Sequence, residues 1–202
     1  AGSLQSPKAA VLGGFVATLL PGALQKGGNE VASKLVLKAA AAPAAADGLK
    51  ALLLSGLVKQ GEISPELSPA LSEALVKLLG NSATSSQALP LIAKWDRTGS
   101  MAEKVKAQVT KMVSQLKDRK GSMEERQAAA KALAAVGNQE ALSAAISILG
   151  NSEEPDALQS SVITSLSEAG KIEQAAGIFG KLKPSLRTLA FDEILKRPEA
   201  SL

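Results

Sequence analysis

With 202 residues, 46% of them hydrophobic and 21% charged, the chain has the composition of a folded protein long enough for one sizeable domain or a modest repeat array. The absence of His and Cys removes zinc and copper sites with the usual ligands, Ser-His and Cys-His nucleophile systems, thiol redox chemistry, cysteine-ligated iron–sulfur clusters and haem held by His or Cys of this chain. The net charge is only +4, and aromatics amount to 2%, so the core falls to Leu, Ala, Val and Ile, of which Ala and Leu favour helix strongly.

In chain order, Ala1-Gly2-Ser3 reads as a cloning remnant rather than the charged opening of a signal peptide. Ser6-Pro7 offers an N-cap followed by a first-turn proline. The apolar run from Val11 to Leu24 is 14 residues long, too short to span a bilayer, and reads as a buried helix stopped at Pro21-Gly22. A second helix is expected over 29–42. Helices over 50–61 and 64–80 follow, the first closed by Gly61, the second opened by Ser64-Pro65 and closed by Gly80. The next spans 88–99 with Pro90 inside it. Then comes 100–119, opened by a capping box, Ser100-x-x-Glu103. A second box, Ser122-x-x-Glu125, precedes 126–137, which Gly137 ends. Helices over 138–149, 159–170, 171–181 and 187–198 complete the series, with Gly150, Gly170 and Pro198 as terminators. No stretch alternates with period two, so no strand is called for.

These helices repeat in register. Counting from Arg126, apolar residues stand at +3, +4 and +7 (Ala129, Ala130, Leu133) and a terminator, Gly137, at +11. The same offsets from Gln159 give Val162, Ile163, Leu166 and Gly170; from Arg187 they give Ala190, Phe191, Ile194 and Pro198. Lys50 gives Leu53, Leu54, Leu57 and Gly61; Ala88 gives Leu91, Ile92, Trp95 and Gly99; Leu12 gives Phe15, Val16 and Leu19 before Pro21-Gly22. One such pattern is any amphipathic helix, but its recurrence with a second helix in each interval marks stacked helix pairs that share a continuous core. The repeats are expected at about 7–42, 43–80, 81–121, 122–152 and 153–184, with a partial one at 185–202, all in one domain over 1–202.

The segment from Glu124 to Leu142, EERQAAAKALAAVGNQEAL, resembles the bacterial HEAT-like repeats first described in phycobilisome lyases: a basic residue, an Ala-Ala-x-x-Leu helix, a Gly-polar turn, a second helix. The resemblance is good over 122–198 and looser over 1–121; Gln159 and Ala88 stand where the pattern has a basic residue, and Pro90 falls inside a first helix. It implies an all-α, right-handed α-α superhelix (a HEAT/ARM-like solenoid) of about five and a half two-helix repeats, and a scaffold or binding role without a particular ligand. The stretch from Ala88 to Asp96, ALPLIAKWD, is also similar to helical-repeat stretches of large secreted bacterial proteins that pair a dehydrogenase-like propeller with a haem-binding tail. That similarity implies an excised middle segment with the haem motif elsewhere, in keeping with an end at Ser201-Leu202 inside a repeat. The compartment stays open between bacterial cytoplasm and periplasm or secretion.

Charge is unevenly spread: residues 1–60 carry six Lys against two acids, 90–120 eight basic residues against three acids, and 121–170 two against seven. A basic middle beside an acidic stretch can steer an anionic partner or support contacts between domains. In 101–119, Met101, Val105, Val109, Met112, Val113 and Leu116 form an apolar stripe, with Lys104 and Lys111 along one edge and Lys106 and Lys117 along the other. Lys104, Lys111 and Lys117 are therefore the candidate partner-binding residues, set against snorkelling lysines whose stems cover the stripe. Few Arg and hardly any aromatics to stack bases argue against nucleic acid. Trp95, at a core offset, is expected to pack between helices with its N–H on a carbonyl. Arg126 and Arg187 are expected to bridge repeats through a carboxylate or carbonyl. No pair of carboxylates is spaced for catalysis. The expectation is a non-enzymatic, monomeric module without cofactor or membrane contact that binds a protein or a neighbouring domain; the alternative is an anionic ligand, nucleic acid or acidic polysaccharide, on the basic 94–120 region.

Overall fold

A computed structural model describes residues 7–60 and 62–196, leaving aside the side chains of residues 7–13 and 15. Among the described residues the regular structure is entirely helical, as the composition and periodicity required. The helices are α1 (Pro7–Ala41), α2 (Asp47–Val58), α3 (Pro69–Gly80), α4 (Ser85–Trp95), α5 (Ala102–Lys117), α6 (Met123–Val136), α7 (Gln139–Leu149), α8 (Asp156–Glu168) and α9 (Pro184–Leu195), with 3-10 segments at Ala44–Ala46 and Ile172–Lys181. No helix among them is long and apolar enough to cross a membrane. The chain forms two compact units, residues 1–105 and 106–202. The expected landmarks Ala1-Gly2-Ser3, Ser6, Gly61, Pro198 and Ser201-Leu202 and the Phe15 side chain lie outside the described residues.

In the first unit, α1 packs on α2 and α3, α2 on α4, and α3 on α4. The expected stop at Pro21-Gly22 is not where α1 breaks. The helix runs through Pro21 and interrupts at Gly28, whose φ of 48° and ψ of −130° suit a residue without a Cβ. Proline removes only one intrahelical bond, whereas Gly28 leaves helical geometry altogether. Where α1 crosses α2 the approach is close: a Cβ on Gly56 would sit 2.5 Å from Leu20 Cδ2.

Ser64-Pro65 does not start a helix either. A helix begun there would carry Pro69 in its interior, with no N–H for its own turn. The start moves to Ser68, whose hydroxyl accepts the Leu71 N–H at 3.2 Å, with Pro69 at the first helical position. Residues 62–68 stay irregular, and the Ser64 N–H donates to Asn29 Oδ1. Pro90 sits buried inside α4 without ending it. After α4, Asp96 takes over the role expected of the Ser100–Glu103 box: its carboxylate accepts the N–H of Ser100 at 3.0 Å and of Met101 at 2.6 Å, and the hydroxyls of Ser100 and Thr98. Burial pushes the Asp96 carboxyl up, and those four donors together bring it below the usual carboxylate range.

In the second unit α6 packs on α7 and α8, α7 on α8, and α8 on α9, while the 3-10 segment 172–181 touches α7, α8 and α9. The Ser122–Glu125 box forms reciprocally. Gly137 ends α6 in the left-handed region at φ 68°, and Asn138 caps α7 by accepting the Ala141 N–H at 2.9 Å. After α8 the N–H groups of Gly170 and Lys171 return to Ser167 and Leu166, the paired bonds of a Schellman ending. Gly150, by contrast, stays right-handed at φ −76°. The helix expected over 171–181 is a 3-10 segment; Gly177 and Gly180 cost it helix propensity, and few side chains anchor it.

The repeat offsets coincide with the interior. Leu91, Ile92, Trp95, Ala129, Ala130, Leu133, Val162, Ile163 and Leu166 are all at most 2% exposed. The outer copies deviate. Leu19 is 52% and Phe191 55% exposed, although Ala190 is buried.

Candidate partner-binding surface

The positions that open the four inner repeats, Lys50, Ala88, Arg126 and Gln159, are buried, and the polar ones work on their neighbours. Arg126 is 3% exposed; its Nε donates to the carbonyl of Leu116, near the end of α5, at 2.8 Å, and its Nη2 to Glu154 Oε2 at 2.5 Å. Arg119 completes the cluster, with Nε 3.4 Å from Glu154 Oε1 and Nη2 2.8 Å from Glu153 Oε2. Gln159 points its Nε2 at the carbonyls of Ile148, Leu149 and Asn151 at the end of α7. In the first unit the same task is done from just before α4, where the buried Thr84 hydroxyl donates to the Leu78 carbonyl at 2.7 Å. Each donor meets carbonyls in the last turn of the preceding helix or just beyond it, where the intrahelical ladder runs out. Arg126 thus bridges a carbonyl and a carboxylate as expected. Arg187, at the equivalent offset, is exposed and engages neither among the described residues.

Trp95 is 1% exposed and donates its Nε1–H to the Ile63 carbonyl at 2.9 Å. Its neighbour Lys94 donates to the Gln60 carbonyl, and burial lowers the Lys94 pKa. Both fix the irregular segment after α2, and neither is presented to solvent as an anchor.

Lys104, Lys111 and Lys117 are all exposed, and none makes an ion pair among the described residues. Lys104 belongs to the first unit, the other two to the second. Within the second unit α5 buries Val109, Met112 and Leu116, and Lys106 and Lys117 stand eleven residues apart on one edge of that stripe. Lys111 lies roughly 120° around the helix from Lys117, so these two do not converge. The basic region is also less basic than its sequence suggests, because Arg119 is spent on Glu153 and Glu154, and Thr110 brings Glu140 alongside at 3.2 Å.

A feature the sequence reading missed lies near the end of the second unit. Between the 172–181 segment and α9 is a cleft of about 260 Å³, with Ile163, Leu182 and Ala190 deep in it and Phe179, Phe191 and Ile194 around it. Phe179 and Phe191 meet edge to face with ring centroids 4.7 Å apart. The available signal was compositional: two of the three Phe fall within thirteen residues of each other, beside Gly177 and Gly180. Among the described residues no three acids cluster in a way that could hold a metal ion.

No family model, no curated protein and no solved structure matches the chain. The class that the geometry defines is an all-helical protein with polar ties between successive helix pairs.

Proposed function

We propose that the chain is a non-catalytic helical-repeat scaffold, HEAT-like in its stacking, that holds a protein partner or a neighbouring domain as part of a larger bacterial protein. The observation that carries this reading is the alternation of contacts inside each unit. Helices two apart in sequence pack together, α2 with α4, then α6 with α8, alongside the consecutive pairs α3–α4, α6–α7 and α7–α8, and most of the +3, +4 and +7 residues of the inner repeats are buried. The ties from Thr84, Arg126 and Gln159 each reach the end of the preceding helix, those of Arg126 and Gln159 from the same offset, which suits a repeated unit better than a closed bundle. Small-angle scattering tests the arrangement. A compact chain of 202 residues has a radius of gyration of about 17 Å, and an open-ended right-handed superhelix exceeds it clearly. A value at the compact figure removes the reading.

The exposed Lys104, Lys111 and Lys117, without an ion pair among the described residues, favour one alternative, an anionic ligand such as nucleic acid or an acidic polysaccharide. It requires retention on heparin that falls steeply with salt and disappears on reversal of the three lysines to Glu. The scaffold reading requires weak retention that the triple reversal hardly alters.

A further inference from the structure

We infer that the outer face of α9, formed by Thr188, Phe191, Asp192 and Leu195, is a docking surface for an amphipathic helix of a partner protein, one that sets a basic residue opposite Asp192. The surface rests on the stacked pairs proposed above and continues their interface. Counted from the residue that opens the repeat, these four stand at +1, +4, +5 and +8. In α6 the same offsets are Gln127, Ala130, Lys131 and Ala134, and this side meets α8. The Gln127 amide donates to the Ala157 carbonyl at 3.4 Å, Lys131 pairs with Glu168 at 2.9 Å, and both alanines are buried. In α8 the offsets are Ser160, Ile163, Thr164 and Ser167; Ile163 and Ser167 are buried, and the Ser167 hydroxyl donates to the Glu193 carbonyl of α9 at 3.5 Å. In α9 all four are exposed, Phe191 at 55% and Leu195 at 71%. The side that α6 and α8 each give to the next helix is thus open on α9, and it carries Phe and Leu where α6 has two alanines.

Charge then selects the occupant. On α6 the +5 residue is Lys131, and the helix that covers it brings an acid, Glu168, at its own +9. On α9 the +5 residue is Asp192, so a helix seated in the same way is favoured when it brings Lys or Arg to that place. The Lys196 ammonium, one turn along, is bonded to Glu193. A second copy of the chain does not supply the match. Its α2, α4 and α9 carry Lys59, Arg97 and Lys196 at +9 but already lie against α1, α2 and α8. At the same offset α1 has Pro21, α6 has Ala135 and α8 has Glu168. The helix that fits belongs to a different protein.

The test titrates the whole chain, isotopically labelled, with two lactam-bridged helical peptides that copy residues 156–168, one with the natural Glu168 and one with Glu168→Lys, read by amide chemical shifts. The bridge removes most of the cost of ordering a short helix. The expected result is saturable shifts centred on Thr188 to Leu195, with the Glu168→Lys peptide about two- to four-fold tighter. In the chain, Leu195→Asp weakens both peptides about tenfold or more. Asp192→Lys reverses the order of the two peptides, which a face that is merely apolar would not do. Both positions are exposed, and unchanged helical circular dichroism verifies that the variants fold. Absence of saturable shifts, shifts centred away from α9, or an unchanged peptide order in Asp192→Lys overturns the inference. Self-association of the free chain that Leu195→Asp abolishes also overturns it, by making a second copy the occupant. A compact radius of gyration with peptide binding intact removes the stacked repeats and leaves the docking surface; an extended radius without binding removes the docking surface alone.

Discussion

The buried ion pair of Arg126 and Glu154 offers the sharpest check on how the second unit is held together. Both side chains are 4% exposed, and they meet at 2.5 Å. In Glu154→Ala the guanidinium stays buried with the Leu116 carbonyl as its one remaining acceptor, because Glu153 is bound to Arg119 and is 73% exposed. An uncompensated buried charge costs about 3–5 kcal/mol, which for a chain of this size is a fall of about 6–20 °C in Tm. In Arg126→Met the carboxylate keeps only Arg119, which is 53% exposed and at 3.4 Å, and the Leu116 carbonyl loses its donor. Replacing both, Arg126→Met with Glu154→Ala, removes the stranded charge, so the double variant costs at least about 2 kcal/mol less than the sum of the single variants. Chemical denaturation of wild type, both single variants and the double closes the cycle. A Glu154→Ala loss below about 1 kcal/mol, or additive single variants, shows that the pair is not insulated from water and refutes the reasoning.

Gly137→Ala forces a Cβ onto a backbone at φ 68° and against Lys171 Cε at 3.4 Å; a loss of about 1–2 kcal/mol in denaturant melts is expected. Trp95 is the only Trp of the chain and is buried, so its emission is blue-shifted in the native state and moves to the red on unfolding; Trp95→Phe strips the Ile63 carbonyl of its donor and costs about 1–3 kcal/mol by the same melts. The Asp47 carboxyl is held below its usual pKa by hydrogen bonds from the Lys50 ammonium and then from the Asn81 amide. Its contribution to stability is therefore present above the unfolded-state value of about 3.9 and is lost as pH falls through the lower folded-state value. Asp47→Asn flattens that part of the acid limb in a series of melts between about pH 5 and pH 2, and a limb that keeps its slope contradicts the assignment.

Much of this was legible in the residues. The offsets from Lys50, Ala88, Arg126 and Gln159 place Leu54, Leu57, Leu91, Ile92, Ala129, Ala130, Leu133, Val162, Ile163 and Leu166, and these are core because a helix with one apolar stripe has only one face to bury. Ser122–Glu125 and Gly137 are local devices whose partners lie within one turn, so spacing alone reveals them. The Trp95 N–H and the Arg126 bridge followed from the demand that buried polar groups be satisfied. The acceptors themselves did not, since Ile63, Leu116 and Glu154 are chosen by how neighbouring elements meet.

Errors arose where two local signals compete. Ser64-Pro65 and Ser68-Pro69 each read as a helix start, and only the second lets both prolines avoid a helix interior. Ser100 has a partner at Glu103 in sequence but a better one in Asp96, which reaches two N–H groups and two hydroxyls across the turn. Residues 172–181 carry a helical pattern yet lie in 3-10 geometry, and the cleft beside them depends on the gap that this leaves against α9. Periodicity, caps and a composition rich in Ala and Leu and poor in aromatics determined an all-helical chain and its buried positions, since each acts over a turn or through composition. The carbonyls that Arg126, Gln159 and Thr84 satisfy, the place where α1 breaks, and the apolar cleft came only from tertiary structure, because they depend on distances between residues far apart in the chain.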